Sequence, residues 1–530
     1  MKKTWIICGL GVSCLTVPVL ASVQFGSSLG SNGIDALKLH QPPYNLTGRK
    51  IAIGQVEIGR PGMFGLDKAV SKNRAISPVA VFLRTVPAKS NTGVDPHAYN
   101  VAAVMVSKDK AWPGVAPDAK LYSSAVGSTK NMGQAEECLS AQHIALQNGD
   151  DVRAINFSFG EPLNRDPRPE AVLDGKALLT MCIDWSSRVH DVVYAIAGNQ
   201  GKGGIPIPTD NFNAINVAFS SPRAGIFNKV HVSNLAGNNQ GIGDRLAGQE
   251  FNIDGRRSIS LVAPGTNIPL LNPDGKLNKS TGSSFAAPHV TATVALLQEF
   301  ADRQLKLKQP NWNINSRSHQ VMKAVLLNSA DKIQDRGDGL WLGMTRTLVD
   351  KQNRDWFASD AYKNTKIPLD DQMGSGHLNA FRAYQQFLPG QWQPTTAIPP
   401  VGWDYNNINT ASSVEYNLDK PLAQNSFVTI TLTWDRLVEL KDTNQNQQYD
   451  VDESFEDKGL NNLDLYLVKE DAKNLESGVV CASTSEIDNV EHIFCPVPVT
   501  GKYKIRVQFK QQVNEKTQTY GLAWWTASVK

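Results

Sequence analysis

The sequence predicts an α/β protein, a parallel sheet with helices on both faces, followed by an all-β sandwich domain. Three observations carry this. From Lys50 to about residue 220, short apolar runs alternate with stretches of helical length, the pattern of strands joined by helices. Those runs read as strands buried on both faces. Beyond residue 413 the pattern becomes alternating strands with no convincing helix, as in packed antiparallel sheets. At 530 residues, with 41% apolar and 19% charged side chains, the chain has core material for two or three domains. A net charge of +3 is close to neutral at this size and gives no footprint for nucleic acid.

The chain begins MKK, continues as the uncharged run TWIICGLGVSCLTVPVLA, and reaches Val19-Leu20-Ala21. This predicts a signal peptide over 1–21, cleaved after Ala21. The alternatives are an uncleaved anchor helix and a lipoprotein using Cys14, the latter disfavoured by Gly11 where a large aliphatic is wanted. No later segment is apolar enough to span a membrane, so a secreted or periplasmic protein is expected. Residues 22–48, rich in Gly, Ser and Asn, read as an N-terminal arm or linker. Cys138, Cys182, Cys481 and Cys495 remain after cleavage and allow three pairings. Sequence nearness favours Cys138–Cys182 and Cys481–Cys495, with two free thiols as the alternative for the first pair; the spacing has no zinc pattern.

Strands are expected at 51–57, 120–126, 153–160, 191–199 and 213–220, and helices over 97–106, 133–149, 178–190, 288–304 and 319–330. With the turn MGSGHLNA at 373–380, these make one domain over 49–390. PTTAIPP and the polar run after it make 391–413 a linker, and 414–530 a β-sandwich.

The stretch TGSSFAAPHV at 281–290 organises the chain. Ser283 and Ser284 are placed to begin a helix, with Pro288 tolerable in its first turn. Free N–H groups and the positive end of the helix dipole there would steady a negative oxygen. The bland alternative is a helix cap. The stretch closely resembles the GTSxAAPHV nucleophile signature of subtilisin-like serine peptidases, and the resemblance implies that Ser284 is the nucleophile. It extends over roughly 49–390 and implies a subtilisin-like sheet. DPHAYNVAAVM (95–105) followed by GVAPDA is similar to the family's HGTHVAG helix and GVAP turn, which makes His97 the base, although Ala98, Tyr99 and Asn100 replace Gly, Thr and the second His. The first strand ends Glu57-Ile58-Gly59 where the family has D-x-G, so Glu57 is the expected acid, with Asp67 and Asp95 as runners-up. AIAGN matches the AAGN motif and makes Asn199 the oxyanion donor. NFSFG is similar to N-x-S-x-G, so Ser158, Phe159 and Gly160 would pair with an extended substrate. Family members often carry a folded inhibitory propeptide, which 22–48 is too short to build.

DTNQNQQYDVDE (442–453) places Asp442, Asn444, Asn446, Gln448, Asp450 and Glu453 at the ligand positions of an EF-hand-type calcium loop. Gln447 stands where that loop has glycine, and the alternative is an acidic solvated loop. The reading is an exported serine endopeptidase with a Glu-His-Ser triad, a peptide or protein substrate, and structural calcium. The alternatives are an inactive scaffold of the same fold and a transpeptidase.

Overall fold

The computed structural model describes residues 28–127, 133–200, 206–223, 227–234, 252–472 and 475–529. The predicted signal peptide, and the arm up to residue 27, lie outside them.

The strands of the first domain are β1 (Ala52–Glu57), β2 (Ala80–Leu83), β3 (Val86–Pro87), β4 (Lys120–Ala125), β5 (Val152–Phe157), β6 (Val193–Ala197), β7 (Ile215–Arg223), β8 (Phe227–Val230) and β9 (Leu261–Pro264). A hairpin, β10 (Ile268–Leu271) and β11 (Leu277–Ser280), and a short β12 (Thr347–Val349) follow. One sheet runs β3-β2-β4-β1-β5-β6-β7-β8-β12, with β9 also on β7. Its centre, β2, β4, β1, β5, β6 and β7, is parallel. Every residue of β1, β5 and β6 is buried, because helices cover both faces.

On one face lie α1 (Ala36–His40), α2 (Pro96–Val106), α5 (Ala287–Lys306), α6 (His319–Asn328) and α7 (Ala380–Phe387), packed into one apolar cluster with the sheet. On the other lie α3 (Gly133–Ala145) and α4 (Leu178–Val189), joined by the Cys138–Cys182 disulfide. The Cys481–Cys495 bond forms as well, so both pairings favoured by sequence nearness are present. Residues 287–301 of α5 are all buried. A helix buried all round has no polar stripe, which here means it threads the core.

Residues 28–48 differ from a loose linker. Leu29, Ile34, Ala36, Leu39 and Leu46 enter the main core. Ser28 Oγ bonds His289 Nε2 at 2.8 Å, and Glu299 accepts from the backbone N–H of Thr47, Gly48 and Arg49 at 2.7–3.1 Å. His289 and Glu299 both sit on α5. The segment's sparse apolar residues lack any periodicity, so its burial left no pattern to read.

The second domain comprises β13 (Val401–Asn409), β14 (Ser413–Asn417), β15 (Phe427–Trp434), β16 (Val438–Lys441), β17 (Ser454–Asp457), β18 (Asn462–Lys469), β19 (Val479–Ser483), β20 (Val490–Pro496), β21 (Tyr503–Gln511) and β22 (Thr517–Thr526). Two four-stranded antiparallel sheets, β13-β22-β15-β20 and β14-β21-β18-β19, enclose an apolar core. Here the expected linker is corrected. Its residues 401–409 are an edge strand paired along its whole length with β22, and Trp403 is fully buried in the main core of the first domain. Polar Asp404, Asn406, Asn407 and Asn409 disguised the strand, as polar residues on an edge do.

The two domains share their interior. Along β15, Val428, Ile430, Leu432 and Trp434 enter the sandwich core, as the period of two requires. Thr429, Thr431 and Thr433 face the other way, bonding Asn328 and Gln320 of α6 at 2.9–3.0 Å. Every residue of α6 is buried as a result. Charged groups also cross the boundary. Arg436 pairs with Asp184 at 2.6 Å, both essentially unexposed, and His319 lies between Asp191 and Asp435 at 2.7 and 3.0 Å.

Candidate active site

In a parallel sheet, loops beyond the strands' carboxyl ends gather at one edge. Glu57 ends β1, Ser158 follows β5, and Asn199 lies two residues past β6, so three of the named residues meet there because adjacent parallel strands end together. The remaining two arrive on helices: His97 in the first turn of α2 and Ser284 in the turn that leads into α5.

Asp95 caps α2 by accepting from the Ala98 N–H at 2.8 Å, with Pro96 in the first turn, which fixes where His97 points. The GVAP turn packs against the far end of the helix. A Cβ on Gly114 would stand 2.6 Å from the Ser107 nitrogen, so only glycine allows the approach. His97 Nδ1 lies 3.6 Å from Glu57 Oε2. Of the three candidate acids, Glu57 is the one within ion-pair reach of His97, since Asp95 serves as a cap and Asp67 is held by Arg60 at 2.7 and 2.9 Å.

Burial pushes the Glu57 carboxyl above its ordinary range, against the pull of the hydrogen bond and charge of His97. Its Oε1 has no hydrogen-bond partner. Burial pulls the other way on His97, lowering it, but the hydrogen bond and charge of Glu57, with Asp95 behind, hold the imidazole above its ordinary value. The side chain is 42% exposed, and its ring lies edge-on to Phe285, with ring centres 5.6 Å apart.

Ser284 precedes Phe285 in the turn Ser283–Phe285, and α5 starts at Ala287 with Pro288 in its first turn. Its hydroxyl donates to the Ser158 carbonyl at 3.2 Å, and the Ser158 hydroxyl donates back to the Ser284 carbonyl at 2.9 Å. The serine is therefore turned toward the β5 loop rather than toward His97. Phe159 stacks on Phe157 at 5.2 Å, and Gly160 completes the loop. Asn199 is fully buried.

Gln200 was missed by sequence reasoning. Its Oε1 accepts from the Ser283 N–H at 2.9 Å and the Ser283 hydroxyl at 3.3 Å, while that hydroxyl reaches the Gly198 carbonyl at 2.7 Å. Gly282 adopts φ 150°, and a Cβ there would press on the Gln200 side chain at 3.2 Å. The strand end carrying Asn199 is thus clamped to the turn carrying Ser284. Adjacency to Asn199 was the available signal.

The loop 442–453 joins β16 and β17. Asp442 accepts from the backbone N–H of Asn446 and Gln447, Asn444 and Asn446 donate to Asp450, and Glu453 accepts from the N–H of Thr443 and Asp450. Gln447 takes φ 61° where the calcium loop has glycine. As folded, these carboxylates are met by donors, and among the described residues no three His, Cys, Asp or Glu side chains converge as a metal cluster.

A hydroxyl leading into a buried helix, an imidazole beside a buried carboxylate and a strand-end asparagine thus lie at one edge of a parallel sheet. The subtilase family model matches residues 66–352, more than half of the chain, and the chain belongs to that family. It is 29% identical over 217 residues to the major intracellular serine protease of Bacillus subtilis (strain 168), covering 40% of this chain and 58% of that one. It is 24% identical over 287 residues to subtilisin NAT of Bacillus subtilis subsp. natto, covering 53% and 62%. The chain thus spans about three-fifths of the length of these relatives. Among solved structures, a cold adapted subtilisin-like serine proteinase aligns at 16% identity over 57% of this chain and 89% of that one, with a TM-score of 0.36. Among the described residues no helix is long and apolar enough to cross a membrane.

Proposed function

We propose that the chain is an exported serine endopeptidase that cleaves peptide bonds through an acyl-enzyme, using Glu57, His97 and Ser284. The observation that carries the proposal is the buried Glu57 facing His97 Nδ1 at 3.6 Å, at the same sheet edge as Ser284. Ser284 Oγ rotates from the Ser158 carbonyl toward the imidazole and attacks the scissile carbonyl as His97 Nε2 takes its proton. The Asn199 amide and the Ser284 N–H hold the resulting oxyanion. His97 then gives the proton to the leaving amine as the C–N bond breaks, and water, deprotonated by His97, releases the acyl group. Glu57 orients the imidazole and stabilises its charged form. Segment 158–160 pairs with the acyl side of the substrate. Export is supported by the apolar N-terminal run and by two disulfides, which persist in oxidising compartments.

The test is labelling by an organophosphorus fluoride, read by intact mass. One adduct on the parent, absent from Ser284→Ala, is expected. A folded parent that takes no adduct would move the protein to the inactive-scaffold reading.

A further inference from the structure

The two groups that would receive the oxyanion lie on different pieces of chain: Asn199 on the loop after β6, the Ser284 N–H in the turn before α5. Their spacing matters, because a misplacement of about 1 Å can cost on the order of a hundredfold in rate. Residues on either side of Asn199 grip the residue before Ser284. The Ser283 hydroxyl donates to the Gly198 carbonyl at 2.7 Å, and the Ser283 N–H donates to Gln200 Oε1 at 2.9 Å.

Both pieces are referred to the same strand. The Gly198 N–H donates to the Val217 carbonyl of β7 at 2.8 Å. The Gln200 main chain pairs with Asn234, which is buried and bonds the N–H and carbonyl of Phe219 in β7 at 3.1 and 2.7 Å. On the serine side, the Gly282 N–H donates at 2.8 Å to the carbonyl of Gly265, just past β9, and β9 pairs with β7. The Gln200 side chain closes the circuit between the two. Its Oε1 receives both donors of Ser283, the hydroxyl at 3.3 Å as well as the N–H, so its two lone pairs are turned to the enzyme's own turn.

Resting on the serine-peptidase reading above, we propose that Gln200 is a positioning residue for that reaction: its side chain sets the spacing between the Asn199 amide and the Ser284 N–H, and does not select the substrate. The oxyanion forms only as the bond is attacked. Slack in this strut therefore lowers kcat and leaves KM in place, by the same factor whatever side chain precedes the scissile bond.

The test uses the full mature chain, with kcat expressed per site titrated by an organophosphorus fluoride, so that a misfolded fraction does not count. Substrates are quenched peptides with Phe, Leu, Lys or Ala before the bond. Gln200→Met keeps the length of the side chain and removes the acceptor. It is expected to lower kcat about thirtyfold on every peptide with KM nearly unmoved, short of the hundredfold or more that follows outright loss of a donor. The affinity of a peptide aldehyde, whose oxygen becomes the oxyanion as Ser284 adds to it, should fall by a similar factor. Gln200→Glu, which keeps an acceptor at that reach, should regain most of the loss. Gln200→Asn, one methylene too short to reach Ser283, should behave as Met does and takes its place if the Met variant does not fold. A fall under about fivefold, a loss confined to KM, or a loss that differs between the peptides overturns the assignment and leaves the peptidase reading intact. A parent that cleaves none of the peptides and takes no adduct overturns both.

Discussion

Glu57→Gln tests the unusual acid directly. At 3.6 Å and an effective dielectric near 20, a carboxylate and an imidazolium attract by about 332/(20 × 3.6), or roughly 4.6 kcal/mol. Two-fifths of the His97 side-chain surface meets solvent, so screening removes about half. The remaining ~2 kcal/mol corresponds to roughly a thirtyfold fall in kcat/KM, read at the pH plateau with a quenched peptide. A second readout follows from the sign of the shift. His97 is held above its ordinary value by Glu57 and works as a base only when neutral. Parental activity should therefore rise through a midpoint above about 6.5, and the Gln variant's rising limb should move to lower pH because burial is then opposed only by the charge of Asp95. A Gln variant within threefold of the parent, with an unmoved limb, would refute Glu57 as the partner of His97.

Two further outcomes concern stability. Arg436→Met strips the unexposed Asp184 of its ion pair and should cost about 3–5 kcal/mol. Adding Asp184→Asn should restore part of that loss in chemical denaturation, whereas simple additivity would mean the pair is not coupled. For the loop 442–453, about 10 mM calcium should raise the unfolding temperature by a few degrees, from a stabilisation of ~1–3 kcal/mol at the affinity of extracellular sites. Glu453→Gln should abolish that rise; an unchanged melting curve of the parent removes calcium from the account.

The parallel sheet was legible because its strands are apolar runs and its helices fill the gaps between them. The positions of Ser284 and Asn199 were legible because contiguous motifs carry them. Burial of residues 28–48 was not, since their contacts reach Glu299 and His289, some 250 residues away. Nor was β13, whose polar residues suited a linker. The Gln200 clamp on Ser283 depends on two loops meeting in space, which neither loop announces. The orientation of the Ser284 hydroxyl toward Ser158 is likewise a matter of packing between β5 and α5, beyond any local pattern.

The burial of α6 has a consequence for how the protein comes into being. Its outer surface is covered by β15 and β22, and a Cβ on Gly521 of β22 would stand 2.6 Å from the Gln320 backbone. Residues 517–526 therefore complete the interior of the first domain, yet they are synthesised some 200 residues after α6. Until they emerge, α6 meets water on a face built to be dry. Order of synthesis thus acts as a timer: the first domain is finished only when the sandwich is.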